Sequence, residues 1–150
     1  MPKVVVTGAK GLVQSTGAGV DLTETTSNVR PSVTTITGNT TLTQADSGGV
    51  FLVATDAIAV TLPATVAGVT YAFVNTGADG GNIITISPNA ADGIHGTVTL
   101  AGSVVEFSGT DDADIANTKA TANTGDFIRL VGDGSVGWMV VGSSGIWANP

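Results

Sequence analysis

No cysteine occurs among the 150 residues, which removes disulfides, thiolate nucleophiles and every cysteine-based metal site. Histidine occurs once, at His95, so any Ser–His pair or histidine-rich zinc site would rest on that one side chain. Charged residues are 11% of the chain, against about 25% in an average soluble domain. Aromatic residues are 5%, so large core fillers are scarce. No apolar run approaches the roughly 20 residues needed to cross a bilayer. The opening segment holds three consecutive apolar residues, Val4–Val6, too few for the apolar core of a signal peptide. The expectation is a soluble protein made in a cytoplasm.

What is present is apolar but small. Hydrophobic residues reach 42% and mean hydropathy is +0.36, carried mostly by valine and alanine. With so few charges, Thr, Ser, Asn, Gly and small apolar groups must cover much of the surface. Such a surface resists association poorly, so part of it is expected to be buried against identical subunits or a larger particle. The net charge of −7 is uneven. Residues 1–38 carry Lys3, Lys10 and Arg30 against Asp21 and Glu24, a balance of +1. Residues 39–150 carry Lys119 and Arg129 against ten acids, a balance of −8. Two cations on an acidic body cannot neutralise a row of phosphates, so neither nucleic acid nor an acidic membrane is an expected partner.

Residues 1–38 read as an extended N-terminal arm or small β subdomain for assembly, because glycines at 8, 11, 17 and 19 break it into short pieces. Its strand candidates are 3–7 and 33–37. From Asn39 onward the pattern is short strands between glycine and aspartate turns. Ile84 and Ile86 alternate with Ile83 and Thr85, as in a half-buried strand. Residues 126–131 and 136–141 flank Gly132-Asp133-Gly134-Ser135, a hairpin signal. Residues 113–122 lack strand character and read as a loop or one helical turn. No window shows sustained helical periodicity, and no fixed-period repeat appears, which argues against a regular β-solenoid. The expected fold is all-β: a compact antiparallel β-sandwich or β-barrel over residues 39–150, preceded by the arm.

A search for chemistry yields little. His95 lies in Asp92-Gly93-Ile94-His95-Gly96, a glycine-flanked stretch that reads as a turn. No nucleophile elbow or phosphate-binding loop occurs. Asp111, Asp112 and Asp114 are closely spaced hard oxygen ligands that would suit calcium, yet their spacing is not that of an EF-hand. They read first as a solvated acidic loop. Neither a catalytic residue nor a cofactor is expected, and the chain is read as a non-enzyme. Trp138 alternates with Val136 and Val140, as a core residue would. Trp147 must cover either this domain's core or a neighbouring subunit, and the subunit boundary is favoured. Lys3, Val4, Val5, Val6, Lys10, Arg30 and Trp147 are the candidate assembly residues.

Several phrases occur in a fixed order: Thr41-Leu42-Thr43-Gln44-Ala45-Asp46-Ser47-Gly48, Thr61-Leu62-Pro63-Ala64, Tyr71-Ala72-Phe73 and Ile84-Thr85-Ile86-Ser87-Pro88. They are followed by Asp92-Gly93-Ile94-His95-Gly96, Gly125-Asp126-Phe127-Ile128-Arg129-Leu130-Val131 and Gly145-Ile146-Trp147. This set, over residues 39–150, resembles a β-rich module of tailed-bacteriophage structural proteins, the capsid decoration (cement) proteins above all, and also tail-fibre segments. The resemblance implies a homotrimer on the outer surface of the virion capsid. It would sit at three-fold or quasi-three-fold sites and clamp neighbouring copies of the major capsid protein. The other role the resemblance implies is a tail-fibre or receptor-binding component that contacts the host surface.

Overall fold

The computed structural model describes residues 31–100 and 103–150. The expected assembly residues Lys3, Val4, Val5, Val6, Lys10 and Arg30 lie outside the described residues. Pro31–Pro150 forms one unit built of short strands and a single 3-10 turn at Gln44–Asp46. The strands are β1 (Val33–Ile36), β2 (Thr40–Thr41), β3 (Gly49–Val53), β4 (Ile58–Thr61), β5 (Thr70–Asn75) and β6 (Ile84–Ser87). They continue as β7 (Gly93–Leu100), β8 (Ser103–Ser108), β9 (Ile115–Asn117), β10 (Phe127–Gly132), β11 (Gly137–Ser144) and β12 (Trp147–Ala148). The boundary expected between residues 38 and 39 falls inside this unit. Ile36 is 4% exposed in the core, and β1 pairs along its whole length with β3.

Two sheets pack face to face. One has seven strands in the order β1-β3-β5-β10-β11-β7-β8; the other has five, β12-β9-β6-β4-β2. The Pro31–Pro150 unit is thus an all-β sandwich, but its sheets are mixed rather than antiparallel. Five pairings are parallel and five antiparallel. The cause is the path of the chain. From β1 to β6 each strand crosses to the opposite sheet, so every second strand returns beside its predecessor in the same direction. This is a solenoid-like winding of uneven pitch. Paired positions lie 17 residues apart at Val33 and Val50, then 22 at Gly49 and Tyr71. In the second sheet the offset runs from 20 at Thr40 and Val60 to 26 at Ile58 and Ile84. No sequence repeat can register at such offsets.

The core fills the space between the sheets. Val53, Val60, Phe73, Ile84, Ile86, Ile128, Leu130, Trp138 and Trp147 are all 0% exposed. Each large apolar side chain buried in this way contributes roughly 1.5–3 kcal/mol. Four aromatic rings form a chain through it: Phe51 stacks on Phe73 at 5.6 Å, and Tyr71 tilts against Trp138 at 5.2 Å. Burial pushes the Tyr71 phenol up to about 12, helped by the nearby Asp46 carboxylate. It therefore stays a donor, to the Thr43 carbonyl at 2.8 Å.

Trp147 is a correction to the sequence reading. It packs fully inside this chain's own core and donates Nε1–H to the Ser144 carbonyl at 3.0 Å. It therefore has no surface left for a neighbouring subunit. Residues 113–122 also differ from expectation, because Ile115–Asn117 forms β9, buried throughout and paired with β6 and β12. The stretch around His95 is strand β7 rather than a turn. Its glycine serves close approach instead: a Cβ on Gly93 would meet the Gly109 carbonyl at 2.2 Å, and one on Gly137 would meet the Gly93 carbonyl at 2.0 Å.

Candidate functional site

Alternation along each strand decides what faces outward. In the five-stranded sheet the side chains opposite the core are small or hydroxylated: Thr41, Ala59, Thr61, Thr85 and Ser87. A solvated outer face of this kind is ordinary for a sandwich. The seven-stranded sheet differs. With Phe51 and Val53 pointing inward on β3, Val50 and Leu52 face out; on β5, Ala72 and Val74 do so. On β10 the inward residues are Ile128 and Leu130, which leaves Phe127, Arg129 and Val131 outside. Register extends this surface to Val33 on β1 and Met139 on β11, opposite Val50 and Val131. At the bulge between Arg129 and Leu130, Val141 is 56% exposed.

The centre of this outer face is a groove of about 360 Å³ lined by Pro31, Val50, Ala72, Val74, Phe127 and Arg129, among others. Phe127 is 37% exposed and Val33 62%. Arg129 makes no ion pair among the described residues, where the one salt bridge joins Lys119 to Asp56. An apolar strip with a single unpaired guanidinium is suited to hold another macromolecular surface. It offers no pair of catalytic groups.

The other candidates are scattered. Asp111, Asp112 and Asp114 lie in the connection between β8 and β9, and no group of three His, Cys, Asp or Glu that could hold a metal occurs among the described residues. Glu106 and Asp114 line one cavity, but at about 40 Å³ it holds water rather than an organic substrate. His95 is half-buried, with Nε2 3.3 Å from the Val136 carbonyl oxygen. Asp133 binds the turn between β10 and β11 through backbone N–H donors, and Asp46 the 3-10 turn through the Thr43 N–H and hydroxyl. Those bonds, chiefly from Gly137 and from Thr43 respectively, hold both carboxyls below their ordinary value. Among the described residues no helix is long and apolar enough to cross a membrane.

One cluster escaped the sequence reading altogether. Asn75, Asn82, Asn117 and Asp126 are buried together at one end of the sandwich. Asn75 Nδ2 donates to Asn117 Oδ1, and Asn117 Nδ2 donates to Asp126 Oδ2, both at 2.9 Å. The same Asn117 nitrogen also reaches the Ile146 carbonyl at 3.0 Å. This is a satisfied polar network that ties the two sheets together, and no residue pattern announces it. The outer apolar face, by contrast, left a signal. Val50–Val53, Tyr71–Val74 and Trp138–Val141 are unbroken apolar runs, the mark of a strand covered on both faces. Ile84–Ser87 alternates apolar and hydroxylated residues instead, and the shorter apolar run Ile58–Val60 places only the small Ala59 outward. No protein-family model matches the chain, and no curated protein matches it.

Proposed function

We propose that the chain is a non-enzymatic virion structural protein that works by assembling. In this reading it binds the outside of the expanded capsid of a tailed phage, as a homotrimer at three-fold or quasi-three-fold sites. There it cements neighbouring copies of the major capsid protein. The observation that carries the reading is the outer face of the seven-stranded sheet, apolar where the other sheet is hydroxylated. The resemblance of residues 39–150 to decoration modules supplies the capsid. The acidic, charge-poor body favours an exterior position away from DNA.

The physics of such a role is simple. A ligand that binds the expanded lattice and not the compact one stabilises the former by mass action. Joining several copies adds avidity without demanding a strong single contact. The test is co-sedimentation of the purified full chain with expanded capsids and with compact procapsids. Binding to expanded capsids alone is the expected result. Equal binding to both, or to neither, overturns the proposal, and retention on whole host cells in place of capsids points to a tail-fibre role.

A further inference from the structure

The described strands of the seven-stranded sheet carry two formal charges, Arg129 on β10 and Glu106 on β8. Both face outward. Arg129 lies between Ile128 and Leu130, each 0% exposed. Glu106 pairs with Thr97 one step from Val98 and Val105, and Val98 is buried while Val105 packs on the core. The two charges are separated by β11 and β7, hence by three strand spacings, roughly 14 Å. They make no ion pair within one molecule.

Each charge has an apolar companion two residues away on the same face. Phe127 precedes Arg129 beside the groove, and Val104, 71% exposed, precedes Glu106. Both steps span roughly 6.6 Å along a strand. The sheet therefore presents a groove with a cation at one side and an exposed valine with an anion at the other, at matching spacing. We infer that the outer face of the seven-stranded sheet binds a second copy of this chain, with Val104 of one copy seated in the groove of the next and Glu106 paired with Arg129. Complementarity of charge selects a second copy as the occupant. It supplies the carboxylate that Arg129 lacks and leaves neither group unpaired in an apolar contact, where an unpaired charge is costly. This contact deepens the assembly reading and rests on it.

The test uses the full chain and three variants: Arg129→Glu, Glu106→Arg and the double exchange. Both residues are exposed, and far-UV circular dichroism checks that each variant keeps its sheet content. Analytical ultracentrifugation and native mass should find the wild type assembled. Either single reversal should weaken association at least roughly thirtyfold, and the exchange should restore most of it. A monomeric wild type, single variants of unchanged mass, or a double variant no better than the singles overturns the contact. The two proposals fail separately. Charge-exchange rescue without binding to expanded capsids supports the contact and sinks the capsid role. A rescued assembly of two copies also supports the contact and overturns the count of three.

Discussion

The Asp133 carboxylate ties down the tight connection between β10 and β11 from within, beside the Thr65 hydroxyl, which donates to the Gly137 carbonyl and accepts the Gly134 N–H. Asp133 Oδ1 accepts N–H groups from Ser135 at 2.8 Å and from Val136 and Gly137 at 3.0 Å each. Those donors favour the charged form, so the carboxyl sits below its ordinary value in the folded chain. A carboxyl depressed on folding contributes stability that is fully present above the unfolded value of about 3.9. That contribution declines as pH falls below it and is gone once the folded value is passed. Asp133→Ala should therefore lower Tm at neutral pH, and the gap to wild type should close on acidification from about pH 7 to about pH 2. A gap that stays constant across that range would show the turn to be held by something other than this carboxylate.

At the scale of elements, β9 shows what three residues can do. Ile115, Ala116 and Asn117 are all buried, and the strand links β6 to β12. Asn117 bridges Asn75 at the end of β5 to Asp126 just ahead of β10. Asn117→Ala takes the partner from the buried Asn75 amide and from the Ile146 carbonyl, while Asp126 Oδ2 keeps the Asn123 N–H, and it should cost about 3 kcal/mol. Urea unfolding with an unchanged m-value is the measurement, and a loss under about 1 kcal/mol would mean that water replaces the amide. Such an element is hardly legible in advance, because three small-to-medium residues have no measurable period. Longer strands were legible: Ile84 and Ile86 lie in the core as their alternation predicts, and the Asp-Gly turn joins an antiparallel pair. Partner choice was not, since strands that alternate between two sheets at offsets of 17 to 26 residues leave no repeat. His95 was misplaced for a related reason: glycine marks close strand approach as well as turns, and Gly93 serves the former. The apolar outer face was half legible. Its unbroken runs were visible, but register was needed to bring Val50, Ala72 and Arg129 onto one surface.

For the whole molecule, the winding of β1 to β6 suggests a solenoid that could build turn by turn, each turn resting on the last. The end of the chain contradicts that independence. The β10–β11 hairpin inserts between β5 and β7, in the middle of the seven-stranded sheet. Without it β5 becomes an open edge, and the β7–β8 hairpin loses its one strand neighbour in the sheet. Trp138 and Trp147, the largest buried side chains, also come from this last segment. The two sheets should therefore fold as one cooperative unit, slowly, because the central pairings join residues distant in sequence. A chain ending at Thr124 tests this directly. A solenoid would keep its first turns and show dispersed amide resonances for β1 to β6. The inserted hairpin predicts instead collapsed dispersion or aggregation through the bare β5 edge. Well-resolved strand resonances from the truncated chain would mean that the winding is an independent folding unit and that the hairpin merely closes it.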